Sequence, residues 1–253
     1  GTIGRGERMQ ISTFIERSVD HELSGNIIDL CPVGALNSKP YRFSARAWEM
    51  QALPTVAPHD CVGSNLSAHV LLGKVKRVVP RANEAVNETW LADRDRFSYE
   101  GIYAGRIEQP MLRDGGALRP ASWEEALEAA AAGVSRSVGK GNGGGLGAWA
   151  GPTSTVEEGF LLQRLLRHLG SDNLDHRLRR RDFRLQERDP VFPWVGSSLA
   201  ELEQADAIVI VGSNLRREAP LIAHRVRKAA LRGASVVFVN PGRYEYLHPV
   251  AGY

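Results

Sequence analysis

The sequence has 253 residues, 43% of them hydrophobic and 24% charged, and its 32 Lys and Arg against 29 Asp and Glu leave a net charge of +3. That length supports a substantial core and suggests more than one folding unit, and a charge so near balance gives no argument for nucleic acid as a partner. No stretch approaches the roughly 18 to 20 unbroken apolar residues of a membrane span, and no signal peptide is expected at the start. The two cysteines provide no disulfide framework and suit a reducing compartment.

Along the chain, residues 9–19 place Ile11, Phe14, Ile15 and Val19 at helical spacing, which predicts a short amphipathic helix. The next stretch, residues 21–48, carries Cys31 between the apolar turn Ile27, Ile28, Leu30 and the run Pro32-Val33-Gly34-Ala35-Leu36. A thiolate ligand to an iron–sulfur centre needs a dry wall and free backbone N–H groups beside its sulfur, and this setting offers both. A lone cysteine in apolar company is equally a packing residue, and one thiolate cannot hold a cluster. From the residues alone both readings stand. Residues 37–54, with Pro40 and Pro54, read as an irregular connection with short extended pieces.

From Thr55, the alternation of Leu66, Ala68 and Val70, a turn at Gly73 and the run Val75 to Val79 predict a β-hairpin. His59, Asp60 and Cys61 are consecutive, so they cannot all face one zinc ion, and a surface loop is the better reading. Glycines and prolines over 101–121 suggest a linker and a domain boundary.

Beyond it, helical and strand patterns alternate. Ser122 with Glu125 forms a capping-box signature, ahead of a face of Trp123, Leu127, Ala130 and Val134. Leu146 to Ala150 is a strand candidate. Thr153 or Ser154 is placed to cap a helix carrying Leu162, Leu165, Leu166 and Leu169, which Gly170 stops. Ala205 to Val211 and Ser235 to Val239 are apolar strands flanking a helix opened by Pro220, with Ile222, Val226, Ala229 and Ala230 inward and Arg225, Arg227, Lys228 and Arg232 toward its negative end. Strands of this kind predict a parallel sheet covered on both faces. The loops Gly151 to Thr155 and Gly212 to Asn214 match neither a dinucleotide fingerprint nor a P-loop. The run Arg177 to Arg184 reads as a solvated face or subunit contact, because it lacks the interleaved aromatics of a nucleic-acid site. No catalytic constellation emerges.

The run SGNIIDLCPVGALNSKPYRFSARAWE, preceded by GRGERMQI, resembles the G subunit (75 kDa type) of respiratory complex I, NADH:quinone oxidoreductase. The resemblance implies that Cys31 is the last of four ligands to a 4Fe-4S cluster, with the other three in a CxxCxxC run expected upstream of Gly1, so that the chain reads as a fragment. It further implies an electron-transfer and scaffold role in the peripheral arm, without a catalytic centre in this stretch. The implied partners are the flavin-containing NADH-binding subunit, a ferredoxin-like iron–sulfur subunit and the quinone-site subunits. The implied location is the cytoplasmic face of a bacterial inner membrane, or the matrix side of a mitochondrial one.

The stretch around GSNL and NETWLADRDRF resembles the cluster domain of molybdopterin oxidoreductases, whose four cysteines fall here on Ala57, Asp60, Ser64 and Ala92. That replacement implies a degenerate iron–sulfur domain, and no molybdopterin is expected. The expected fold is α/β with a small α+β N-terminal part: residues 1–54 end the cluster-binding region, 55–101 form the degenerate hairpin domain, and 102–253 begin a parallel, molybdopterin oxidoreductase-like α/β domain. The competing readings are a catalytic molybdopterin oxidoreductase of formate dehydrogenase type and a cofactor-free α/β scaffold.

Overall fold

The computed structural model describes residues 1–12, 18–139, 144–178, 182–190 and 194–253. The chain divides into two units, Gly1–Tyr103 together with Trp194–Tyr253, and Ala104–Pro193.

The first unit opens with a two-stranded antiparallel pair, β1 (Thr2–Ile3) and β2 (Gln10–Ile11). The helix expected over 9–19 therefore begins as strand, while residues 13–17 lie outside the described residues. A single-turn helix, α1 (Asn26–Leu30), ends at Cys31. A three-stranded antiparallel sheet follows, in the order β3 (Gln51–Val56), β4 (Asn65–Leu71), β5 (Lys74–Pro80). The β4–β5 hairpin is the expected one. β3 is the addition: it is an exposed edge, the position in a sheet where Pro54 is tolerated. Leu66 and Val78 point from this sheet into a core with Ala57, Leu91 and Tyr99, and the helical turn α2 (Asp93–Phe97) follows that core in the chain.

The second unit contains a tight hairpin where a linker was expected: β6 (Met111–Asp114) and β7 (Ala117–Pro120) close through Gly115 and Gly116, whose φ values of 56° and 90° suit a two-residue turn of this kind. Helix α3 (Trp123–Gly139) is capped by Ser122 Oγ, which accepts from the Glu125 amide at 3.1 Å. The Glu125 carboxylate also pairs with Arg119 at 2.5 Å. The expected apolar face stays open, with Trp123 and Leu127 exposed. β8 is reduced to Ala148–Trp149 and pairs in parallel with β9 (Leu174–Asp175). Between them α4 (Val156–His168) is capped by Thr155, one residue beyond the expected Thr153 or Ser154, because Glu158 then stands at the third position and returns the bond at 2.9 Å. Gly170, at φ 78°, ends it as expected.

The rest of the first unit is a strand–helix–strand unit. β10 (Ala207–Val211) and β11 (Ser235–Val239) pair in parallel over five residues, joined by α5 (Leu215–Glu218) and α6 (Pro220–Leu231). Ile210, Val226, Ala230, Val236 and Phe238 form its core, with Tyr246 stacked on Phe238 at 4.2 Å. The strands were expected to be covered on both faces. Among the described residues the face carrying Ile208, Ile210, Val236 and Phe238 is packed, while Val209, Val211 and Val239 are exposed.

Candidate iron–sulfur site

Cys31 is placed by an anchored turn. Asn26 is buried and bonds the Leu91 backbone in both directions, accepting from its N–H at 2.9 Å and donating to its carbonyl at 2.8 Å. The Asp93 carboxylate accepts from the Gly25 amide at 2.7 Å and from Ser24 Oγ at 2.6 Å, so a charge from α2 takes over the capping that Gly25 cannot supply. Gly25 has to be glycine for steric reasons: a Cβ there would stand 2.8 Å from Asp93 Oδ1 and 2.9 Å from Arg96 Cδ. Arg96, itself buried, reaches Asp29 on α1 at 2.5 Å. These bonds together tie the turn before Cys31 to residues 91–96.

Beyond the cysteine the chain curls back around its sulfur. Gly34 takes φ 65°, and the Leu36 amide donates to Cys31 Sγ at 3.4 Å. That amide first, and those of Val33, Ala35 and Gly34 after it, lower the thiol pKa against the opposing effect of burial. Loops of this kind stabilise a thiolate, the form that binds metal. Leu30 and Val33 beside it are exposed. Among the described residues no three His, Cys, Asp or Glu side chains gather as a metal-holding group.

The second stretch of interest is closed. Of the four aligned positions, Ala57, Ser64 and Ala92 are buried to 4%, 0% and 1% exposure, which leaves little space for a cluster in this packing. The carboxylate of Asp60, the fourth, pairs with Arg94, which also donates to the carbonyls of Arg217 at 3.1 Å and Glu218 at 2.7 Å at the end of α5. His59 meets the fully buried Asp95 carboxylate at 2.7 Å. Burial raises the pKa of Asp95 against the pull of that histidine. Cys61 is exposed.

A third charged group lies between the hairpin side and α6. Glu88, held at φ 52° by a paired backbone bridge to Asn83, meets Arg225 Nη1 at 2.6 Å and Lys228 at 2.7 Å. Both cations also reach Glu203. Arg225 was expected to face the negative C-terminal end of the helix. It is buried instead, because these two carboxylates and the Glu84 carbonyl at 2.7 Å satisfy it. Burial works to raise the pKa of Glu88, but hydrogen bonds from Lys228 and Trp90 and the charges of Arg225 and Lys228 outweigh it and hold the carboxyl at about 2.

The loop Gly212 to Asn214 is also spoken for. Glu218 accepts from Ser213 Oγ at 2.7 Å and from the Asn214 amide at 3.2 Å, so a carboxylate sits where a phosphate would need those donors.

The molybdopterin oxidoreductase family matches residues 106–249, more than half of the sequence, and the chain belongs to that family. Two further families match the N-terminal part: the ferredoxin-like domain of NADH-quinone oxidoreductase subunit 3 over residues 1–37, and the NADH-ubiquinone oxidoreductase NDSU1/NuoG-like 4Fe-4S domain over residues 50–100. Within this setting the chain is homologous to the G subunit of NADH-quinone oxidoreductase and its 75 kDa-type counterparts. The G subunit of NADH-quinone oxidoreductase from Rickettsia bellii is 40% identical over 240 residues, covering 93% of this chain and 34% of that protein. The mitochondrial 78 kDa subunit of NADH-ubiquinone oxidoreductase from Candida albicans is 41% identical over 236 residues, 92% of this chain and 32% of that protein. The 75 kDa subunit from Reclinomonas americana is 36% identical over 259 residues, 95% of this chain and 36% of that protein. The chain therefore spans about a third of the length of these curated relatives. Among the described residues no helix is long and apolar enough to cross a membrane.

Proposed function

We propose that this chain is part of an electron-transfer and scaffold subunit in the peripheral arm of NADH:quinone oxidoreductase, and that Cys31 supplies one thiolate to a 4Fe-4S cluster. The observation that carries the reading is the loop that folds back at Gly34 so that the Leu36 amide donates to Cys31 Sγ at 3.4 Å, with backbone amides lowering the thiol pKa. Such donors stabilise the anionic sulfur that iron requires, so the residues present fit the group. When bound, the cluster supplies one-electron transfer. The chain's own residues hold the sulfur in place: Asn26 and Asp93 fix the turn, and Gly34 lets the loop fold back. The remaining thiolates come from a CxxCxxC run elsewhere in the full-length polypeptide. Residues 1–54 then close the cluster-binding region, 55–101 form a domain without its cluster, and 102–253 serve as an α/β scaffold. The partners are the flavin-containing NADH-binding subunit, a ferredoxin-like iron–sulfur subunit and the quinone-site subunits. The location is the cytoplasmic side of a bacterial inner membrane, or the matrix side in a mitochondrion.

The test is iron, acid-labile sulfide and EPR on the full-length polypeptide in the assembled enzyme. Cys31→Ser is expected to abolish one 4Fe-4S signal and leave the others; an unchanged set of signals would sink the ligand assignment.

Membership of the molybdopterin oxidoreductase family favours a second reading, a catalytic molybdopterin enzyme of formate dehydrogenase type. Against it stand the non-thiol residues at Ala57, Asp60, Ser64 and Ala92, and the Glu218 carboxylate on the Gly212 loop. Molybdenum or tungsten found by metal analysis of the purified enzyme would restore it.

A further inference from the structure

Beside the Cys31 loop lies a cavity of about 210 Å³, whose lining includes Gly34 and Leu36 of that loop, Asp29, Tyr41, Arg77 and Arg96. Its two cations differ in what surrounds them. Arg96 is answered by Asp29 at 2.5 Å and also reaches Asn26 Oδ1 at 3.2 Å, so its charge is largely cancelled. Arg77 has no such counter-charge among the described residues. Its guanidinium stands 4.7 Å over the Tyr41 ring, and its Nε donates to Nδ1 of His69, its cross-strand partner, at 3.1 Å. An imidazole nitrogen that accepts this bond is unprotonated, and burial, followed by Arg77 itself, keeps the His69 pKa low. Among the described residues no carboxylate pairs with Arg77. A full positive charge, oriented by an aromatic face and a neutral histidine, therefore lines the cavity wall shared with the loop that cradles the Cys31 sulfur.

We propose that Arg77 is an electrostatic tuning residue for the iron–sulfur centre held at Cys31, favouring its reduced form. The inference rests on the assignment of Cys31 as a ligand. Reduction adds one electron to the centre without a change in covalent bonding, and the centre becomes more negative by one charge. A cation one cavity away lowers the energy of that state, and the effect is weakened but not removed by water and salt in the cavity. Asp29 acts in the opposite sense by cancelling Arg96.

The experiment is a potentiometric titration of the assembled enzyme containing the full-length chain, followed by EPR. Arg77→Gln is expected to lower the reduced-to-oxidised ratio of the Cys31 centre at fixed potential by about threefold to tenfold, where tenfold corresponds to about 59 mV for one electron. Arg77→Lys should retain most of the wild-type ratio, and Asp29→Asn should raise it. An unchanged ratio in Arg77→Gln with the centre intact overturns the proposal, as does a lysine variant that behaves like the glutamine one. If Arg77→Gln does not assemble, Arg77→Met, which keeps a stem over Tyr41 without the charge, decides: a lowered ratio supports the proposal, and an unchanged ratio overturns it. Cys31→Ser separates the two levels, because a signal that survives it removes the ligand assignment whatever Arg77 does.

Discussion

The Cys31 loop and the stretch from Ala57 to Arg96 have opposite constructions. Around Cys31 the polar groups point at one sulfur, and nearby apolar residues such as Leu30 and Val33 are left exposed. Around Asp60 the charged groups point at one another, small residues fill the interior, and Arg94 carries the charge on to the last carbonyls of α5. The stretch around Asp60 is held by ion pairs and packing within the chain. The stretch that matches a 4Fe-4S domain family is thus tied together by side-chain contacts of its own.

The largest effects should separate the two stretches by what each loses. Asp60→Ala removes the counter-charge of Arg94 and is expected to cost about 1–3 kcal/mol in urea unfolding of this chain, a figure reduced from that of a fully buried pair because Arg94 is partly exposed. The same substitution should leave the iron content of the full-length subunit unchanged. Cys31→Ser should do the reverse, removing iron at almost no cost to the stability of this chain, since its thiol packs against little. A loss of iron in Asp60→Ala would mean that the second stretch is not a closed one.

Gly25→Ala tests how the open loop is held. Its φ of −62° suits any residue, so the cost comes only from the overlap with Asp93 and Arg96. Relieving that overlap displaces the pair that anchors α1 and is expected to cost about 1–3 kcal/mol. Hydrogen exchange should then speed up at the Leu36 amide more than in β4 or β5.

Much of this division was legible in the sequence and some of it was not. The strand and helix periods located the β4–β5 hairpin, α4, β10, α6 and β11, because each depends on local spacing of apolar residues. The Cys31 setting was legible for a similar reason: its amide donors lie within five residues of it in the chain. Arg225 and Asp95 were not. Each is a charged side chain whose burial depends on a partner 22 to 137 residues away by number, and no local pattern distinguishes such a residue from one on a solvated surface. The exposed face of β10 and β11 was missed because an apolar run reports that a surface is suited to cover, not whether it is covered within the same chain.

The charged group at Glu88 gives the pH dependence of the closed side. Its carboxyl lies at about 2 in the folded chain against an ordinary 4.5, so its contribution is complete above the higher value and is lost as the pH falls toward the lower one. Stability should therefore decline between about pH 4.5 and 2 by on the order of 1–3 kcal/mol from this group. Glu88→Gln should flatten that part of the curve. A curve left as steep by this variant would assign the acid sensitivity to other carboxylates.

The smallest expected effect concerns the hairpin that both stretches share as a platform. β4 and β5 turn through Leu72 and Gly73, at φ 50° and 74°, and Leu72 is 93% exposed. A leucine in this left-handed conformation pays a steric penalty that asparagine largely avoids, and an Asn-Gly pair suits a two-residue hairpin turn. So little of the leucine is buried that its removal forfeits almost no packing. Leu72→Asn is accordingly expected to stabilise the chain by about 0.5 kcal/mol, read as a small rise in the urea midpoint with an unchanged slope. Arg77 and His69 lie on the strands this turn joins, but Arg77 is held by Tyr41 and His69, so the same variant should leave the potential of a centre at Cys31 where it was. A shift would show that the hairpin sets the position of Arg77 more tightly than its contacts with Tyr41 and His69 do.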